Sequence, residues 1–507
     1  MADARTRLRR PSTGIVLLVS AVGSCLAIPD PSTGTGLLRV GGARALYTSP
    51  TLAFATAVLF AFVLSLVGFY LVSNALERDL RTRMAAVVAA SPVRSAEYLL
   101  GKLAGNVALL VVVTLGCMAA AMAMQLVRGE GPLEPGTYFV YYAVLLAPCI
   151  AWVAVMALVF ECTPGLSGRA GDVLYFFVWM FAIPLSIEPW RKPGAPVSWF
   201  GQSLDFTGIG FVRGQVERLF GRTDFSIGYG PADISQPPIR FPGLEITSQA
   251  VAARTMGFVI PALLFPVALA LFRRFDPART KSLGSGGRRR LTSMLAALAR
   301  PLGRPVLDLL DRLSPDAALT FRARPPLVLL AAASAALGLA LPTASVRQVL
   351  LPAVFAVLSA ALADIATRER QAGLSSIVFS TPRHRDSFAQ WKLATAAIVA
   401  LLLAGVPIGR LLASAPDAGL SALVGVMFLA AAAVALGIAT GTPKTFMALS
   451  LALWYLALNA KGQAPALDYG GWWASATPLV QAGWAAATVF TAAGALVAHR
   501  ARLAREG

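Results

Sequence analysis

Residues 51–75 read TLAFATAVLFAFVLSLVGFYLVSNA, a stretch without a single charged side chain. As an α-helix it would be about 37 Å long, more than the roughly 30 Å hydrocarbon core of a bilayer. Such a run is typical of a membrane-spanning helix. Similar runs recur along the chain, and they predict twelve spans, at about 14–29, 51–75, 100–126, 137–162, 171–188, 251–272, 327–342, 346–366, 390–413, 419–440, 444–460 and 477–498.

The composition agrees with a chain whose solvent is the lipid bilayer. Of the 507 residues, 57% are hydrophobic and only 14% are charged, whereas about a quarter of the residues in a soluble domain are charged. The net charge of +19 comes from short Arg and Lys clusters between apolar runs. Clusters placed in this way set topology, so no nucleic-acid partner is expected. The four cysteines lie in apolar segments without metal-ligand spacing, so they are expected to be free and no metal is expected.

The basic clusters also predict the orientation of the chain. If the twelve spans alternate, nearly all of these clusters fall on one side, which the positive-inside rule assigns to the cytoplasm. The first apolar run lacks a clear cleavage site and is expected to be a retained helix. We therefore expect a multi-pass protein of a bacterial inner membrane with both termini in the cytoplasm.

The same pattern divides the chain into domains. Residues 1–272 form a first six-helix unit with a long extracytoplasmic loop at 189–250, whose aromatic residues favour partial order. Residues 325–507 form a second six-helix unit. The basic segment 273–324 between them is either an amphipathic helix on the inner leaflet or a tether whose charge fixes topology.

Two predicted cytoplasmic segments, 77–98 and 367–388, resemble each other closely. They are called the first segment and the second segment below. Each has a basic–acidic pair, eleven further residues and a Ser-Pro or Thr-Pro pair, and a lysine follows each segment, ten residues after the proline. The matching residues are Arg78, Asp79, Ser91, Pro92 and Lys102 in the first copy, and Arg368, Glu369, Thr381, Pro382 and Lys392 in the second. Weaker echoes occur at 6–11 and 320–325 and at 163–164 and 442–443, so the sequence predicts an internal repeat.

Each segment is expected to contain a short amphipathic helix along the membrane surface. In the first copy the apolar face would comprise Leu80, Met84, Val87 and Val88, with Arg78, Arg81 and Arg83 toward water or a partner. The second copy has Leu374, Ile377 and Val378 on such a face. The prolines would stop these helices, and Lys102 and Lys392 would extend to the interface. The alternative is that the charged pair, the proline and the lysine are the residues commonly found between any two spans and have no further role.

The sequence of the first segment resembles the coupling helix of type-2 ABC exporter permeases. It reads Glu77-Arg-Asp-Leu-Arg and then Ala90-Ser-Pro-Val-Arg-Ser-Ala-Glu-Tyr-Leu-Leu-Gly-Lys102, and the second segment retains the proline and the lysine. The resemblance implies an all-α polytopic permease of two fused six-helix units. It also implies a separate ABC ATP-binding subunit, in two copies, as partner. A second permease chain would not be needed. The residues implied in ATPase coupling are Arg78, Asp79, Arg81, Ser91, Pro92, Lys102, Arg368, Glu369, Thr381, Pro382 and Lys392.

The chain has no Gly-x-x-x-x-Gly-Lys-Ser/Thr loop, so ATP and Mg²⁺ are expected on the partner subunit and no cofactor is expected in this chain. Two other functions stay open. An intramembrane enzyme would need catalytic groups within the spans, but the only histidines are His384 and His499, near predicted cytoplasmic ends. An ion-coupled carrier would need acidic groups in mid-span, and the candidates Glu161, Asp172, Glu188 and Asp364 lie near helix ends. A membrane scaffold is the remaining alternative.

Overall fold

The protein is a largely helical, membrane-embedded chain. The computed structural model describes residues 11–163, 166, 168–187, 197–221, 225–233, 235–272, 297, 301, 303–304 and 306–506. Eight helices in these parts of the chain are long and apolar enough to cross a membrane. A ninth is added if Pro315–Arg322 and Pro325–Ala340, which meet at a bend of 98°, are taken as one span. The chain divides into two compact units, Met1–Gly284 and Ser285–Gly507.

The N-terminal unit contains eleven α-helices and three strands among its described residues. The helices are α1 Pro11–Ala27, α2 Ser49–Val72, α3 Ala75–Arg81, α4 Met84–Ala90, α5 Ser95–Arg128, α6 Pro135–Cys162, α7 Arg169–Ile187, α8 Trp199–Leu204, α9 Ile209–Phe220, α10 Ser248–Thr255 and α11 Val259–Leu271. Helix α2 is apolar all round and is buried by α5, α6 and α7. Its Gly68 has no room for a Cβ beside Leu110 of α5, so glycine permits the close approach of these helices.

A small antiparallel sheet connects two loops of the N-terminal unit. Strand β1 (Thr35–Val40) lies between β2 (Ala43–Arg44) and β3 (Phe225–Pro231). The described parts of the long loop 189–250 are folded, with α8, α9 and β3 in sequence. Phe206 is fully buried and stacks on Trp152 at 4.5 Å. This stacking holds a described part of the loop against helix α6.

From residue 315 onward, the described part of the C-terminal unit contains nine α-helices. These are α12 Pro315–Arg322, α13 Pro325–Ala340, α14 Thr343–Leu362, α15 Arg368–Gln371, α16 Ser375–Phe379, α17 Pro382–Ser414, α18 Pro416–Thr440, α19 Pro443–Ala460 and α20 Pro478–Glu506. Residues 346–350 form a π-helical turn within α14. Helix α18 is central and packs on both α17 and α20. Helix α20 leaves most of its apolar surface exposed, including Val489 and Phe490.

Each of the twelve apolar runs identified in the sequence coincides with a helix, and the run 251–272 coincides with α10 and α11 taken together. Four of these helices do not count as single spans by length and composition: α1, α7, α13 and α19. Twelve crossings therefore stay a prediction. Most of the predicted segment 273–324 lies outside the described residues. Its last part contains α12, which packs against α17 and α13 within the C-terminal unit.

Candidate functional site

The first segment folds as two short helices joined at a break. Helix α3 begins after Asn74, and its first two free N–H groups, from Ala75 and Leu76, donate to the Glu161 carboxylate at 3.0 and 2.6 Å. A carboxylate at a helix N-terminus satisfies these donors and complements the helix dipole. The break before α4 is at Arg83, whose φ of 60° lies in the left-handed region. A non-glycine residue in this conformation is strained by roughly 1–3 kcal/mol.

A group of charges joins α3 to the start of α5. Lys102 Nζ lies 2.8 Å from Asp79 Oδ2, and the Tyr98 hydroxyl donates to the same oxygen at 2.7 Å. Arg78 Nε is 3.9 Å from Asp79 Oδ1, and the Lys102 ammonium lies over the Tyr98 ring at 5.4 Å. We call Arg78, Asp79 and Lys102 the first ion cluster. The cluster fixes α3 to a predicted span by one close ion pair and one hydroxyl.

The second segment has the same local geometry in the same register. Helices α15 and α16 are again short, and the break between them is at Gly373, with φ of 72°. Gly373 stands five residues after Arg368, as Arg83 does after Arg78. Glycine adopts this conformation without the Cβ strain that Arg83 bears. The two breaks therefore correspond, although only one of them has the residue best suited to it.

The second group of charges is larger and more deeply buried. Its members alternate in sign along one chain of contacts: Arg324, Asp364, Arg368, Asp316, Lys392 and Glu369, which together are the second ion cluster. The Lys392 ammonium is fully buried, pairs with Glu369 and lies 2.8 Å from Asp316 Oδ2. Arg368 bridges Asp316 at 3.1 Å and the Thr320 hydroxyl at 2.9 Å. Three positive and three negative groups give no net charge.

The second ion cluster joins five parts of the C-terminal unit, one of which is the start of α13, where Arg324 lies. Asp316 belongs to α12, Asp364 follows α14, Arg368 and Glu369 belong to α15, and Lys392 belongs to α17. Buried charges are tolerated only where each has a partner of opposite sign. Removal of any one member would leave another charge uncompensated. The cluster therefore holds these elements in one arrangement.

Both segments leave apolar side chains on the surface. In the first segment Leu80, Met84 and Val87 are 54%, 50% and 59% exposed, and we call these three residues the exposed stripe. Leu374 and Ile377 stand at the positions of Met84 and Val87 in the second segment and are 46% and 67% exposed. The position of Leu80 is occupied by Arg370, whose guanidinium lies against Gly441.

The remaining predicted coupling residues shape the ends of helices. The Ser91 hydroxyl donates to the Val88 carbonyl at 2.9 Å and closes α4. Pro92 lies exposed in the link to α5, whereas Thr381 precedes α17 and Pro382 is its first residue. Arg81 is the last residue of α3, and its side chain lies outside the described atoms.

The prediction that Lys102 and Lys392 extend to a membrane interface is wrong. Both side chains are buried, because carboxylates of the preceding short helices neutralise their ammonium groups within the protein. The acidic residue at the start of each segment does not by itself predict that the lysine is buried. The indication in the sequence is the equal spacing between this acidic residue and the lysine in both copies.

Several members of these clusters were missed at the level of sequence. Asp316 is far from Lys392 in the chain, and no local pattern connects them. Thr320 and Arg324 lie in the echo 320–325, which indicated the repeat but not a contact. Asp364 and Glu161 were noted only as acidic residues near helix ends, and the structure gives each of them a partner.

A second polar region lies among the loops of the N-terminal unit. Arg254 donates to the Asp205 backbone carbonyl at 2.6 Å and lies 3.4 Å from its carboxylate, while Asp205 accepts the N–H groups of Gly210 and Phe211 at the start of α9. Burial raises the pKa of Asp205. Near β2, Arg44 binds Glu130 with two bonds of 2.7 Å and holds the pKa of that carboxyl below its ordinary value. Both are structural pairs that fasten loops.

Among the described residues no group of histidine, cysteine and acidic side chains is arranged to hold a metal ion. The four cysteines are free. No family model matches this chain, and no curated protein or solved structure matches it. Fold and site together define a polytopic, mainly α-helical membrane protein with two similar charged segments.

Proposed function

We propose that this chain is the permease subunit of an ATP-driven exporter of the type-2 ABC class, and that it does not hydrolyse ATP itself. In this proposal two six-helix units, with twelve crossings in all, lie in a bacterial inner membrane with both termini in the cytoplasm. Two copies of a separate ATP-binding subunit dock on the first and second segments and supply ATP and Mg²⁺.

The observation that carries the proposal is an ion pair found in both copies, between a carboxylate of the segment and the lysine that follows the segment. Asp79–Lys102 and Glu369–Lys392 each join a short surface helix to the first turns of a long apolar helix. A force on α3 or α15 therefore reaches α5 or α17 through a charged contact rather than through a flexible loop. An ATP-hydrolysing subunit outside the membrane needs such a connection to move helices that lie within the membrane.

The surface chemistry of the first segment supports a protein partner. Leu80, Met84 and Val87 are exposed, and Arg83 and Arg94 are exposed close to them in sequence. A partner with an apolar groove and an acidic rim would complement this surface. The chain breaks at Arg83 between α3 and α4. The exposed stripe is therefore not part of one straight amphipathic helix of the kind that lies in a bilayer surface.

The test is association with an ATPase. The purified chain is mixed with each ATP-binding subunit encoded beside it, and complex formation and ATP turnover are measured with and without the chain. A second form carries unrelated amphipathic sequence in place of residues 77–98 and 367–388. We expect a complex with chain-dependent turnover that this replacement abolishes while membrane insertion is kept. Docking that survives the replacement would contradict the proposal, and the absence of any complex would favour a carrier or a scaffold.

A further inference from the structure

The two segments differ in how firmly they are held, and the difference is consistent over several contacts. The second ion cluster ties α15 to three other elements, while the described ion pairs of the first cluster tie α3 to α5, and Glu161 of α6 accepts the first N–H groups of α3. Lys392 is fully buried, whereas a tenth of the Lys102 side chain is exposed.

The second helix of each segment shows the same difference: α4 is held less firmly than α16. In the second segment Phe379, at the end of α16, packs against Phe388 at 5.2 Å and against His499 of α20 at 6.1 Å. In the first segment α4 packs mainly against the adjacent short helix α3, whereas α16 packs against the long helix α17. Few contacts with the long helices favour local movement at low free-energy cost. Helix α4 is therefore more weakly anchored than α16.

The exposed surface is also larger where the anchoring is weaker. The exposed stripe has three apolar residues across α3 and α4, and the corresponding surface of the second segment has two, because Arg370 replaces Leu80. The Arg370 guanidinium lies against the turn at Gly441.

From these observations we propose that the two segments have unequal roles: the ATP-binding subunit binds tightly to the exposed stripe of the first segment, and the second segment is a fixed brace that contributes little to affinity. This inference rests on the proposed function. The stripe on α3 and α4 moves to fit its partner, and the Asp79–Lys102 pair conveys that movement to α5. The second ion cluster keeps α15 and α17 in place.

Matched variants test this inequality, since Met84 and Val87 correspond in register to Leu374 and Ile377. All four side chains are exposed, so glutamate at these positions leaves the fold intact. In the full-length chain, Met84→Glu/Val87→Glu is compared with Leu374→Glu/Ile377→Glu for affinity toward the tagged ATP-binding subunit. A carboxylate buried in an apolar contact is costly, so we expect the first pair to weaken binding at least about tenfold and the second pair by no more than about twofold.

The outcomes separate the inference from the proposed function. Equal losses for both pairs would overturn the unequal roles and leave the exporter proposal standing. Unchanged affinity for both pairs, with loss on replacement of the whole segments, would show that the apolar stripe is not the contact and would also overturn the inference. A wild-type chain that binds no ATP-binding subunit would overturn the proposed function and the inference with it.

Discussion

The first and second segments share a backbone plan but not a charge environment. Each has two short helices, a left-handed residue at the break and a carboxylate paired with the lysine of the next long helix. In the first ion cluster the Asp79 carboxylate contacts Lys102 and Arg78 and accepts a hydrogen bond from the Tyr98 hydroxyl. The second ion cluster balances three cations with three carboxylates in a buried chain. The comparison shows that the same backbone geometry can anchor a short helix weakly or firmly. The number and burial of the surrounding charges decide which.

The largest expected difference between the clusters follows loss of the lysine. Lys392→Met leaves Asp316 and Glu369 without their ammonium in a buried site, and we expect a loss of about 3–5 kcal/mol in the free energy of unfolding. Lys102→Met leaves Asp79 with the Tyr98 hydroxyl and some solvent, so about 1–2 kcal/mol is expected. Unfolding of both variants in the same detergent gives the comparison. Equal losses would remove the distinction between the clusters.

The aromatic residue four positions before each lysine allows a finer comparison of the two ion clusters. Tyr98 and Phe388 correspond in register, and each ring lies 5.4 Å from its ammonium. Tyr98→Phe removes a hydrogen bond to Asp79 and is expected to cost about 1–1.5 kcal/mol. Because Phe388 stands at the register position of Tyr98, we expect the hydroxyl of Phe388→Tyr to approach Glu369, whose buried Oε2 has no hydrogen-bond partner among the described residues, and we expect the change to be neutral or stabilising. A destabilising Phe388→Tyr would show that the two sites are not built alike.

The breaks allow a smaller test of backbone strain. Gly373→Ala places a Cβ in open space, so its expected cost of about 1 kcal/mol comes from the left-handed conformation alone. Arg83→Gly relieves the corresponding strain and is expected to stabilise the chain by about 0.5–1 kcal/mol. Thermal unfolding of the two variants beside the wild type measures both effects. Stabilisation by Gly373→Ala would mean that the second break is not left-handed.

An ion pair remote from both segments gives a baseline for a partly exposed contact. Glu130→Gln is expected to cost about 0.5–1 kcal/mol at neutral pH, because its bidentate bond to Arg44 is partly exposed. The pKa of Glu130 is lowered in the folded chain, so this stabilisation is present above the ordinary glutamate pKa and is lost as the pH falls through the lowered value. The gap between wild type and variant should therefore close on acidification. A gap that persists with the carboxyl protonated would show that the charge of Glu130 is not what stabilises the loop.

Much of this architecture could be predicted from the sequence, because the length of an apolar run depends only on consecutive residues. Each apolar run became a helix, and the repeated spacing located the segments and their lysines. Asp316 could not be predicted as a partner of Lys392, because the two residues are brought together only by the packing of α12 against α17. The burial of both lysines was missed for the same reason: a lysine near a helix end extends to an interface unless folding places a carboxylate beside it. The sheet of β1 and β3 likewise joins segments distant in the chain.

The contrast between the segments is tested most directly by amide hydrogen exchange of the purified chain, comparing peptides over 80–93 and 370–383 in one sample. Helix α4 should exchange faster than α16, and Lys392→Met should raise exchange in the second segment to the level of the first. Equal exchange of the two segments in the wild-type chain would contradict the account.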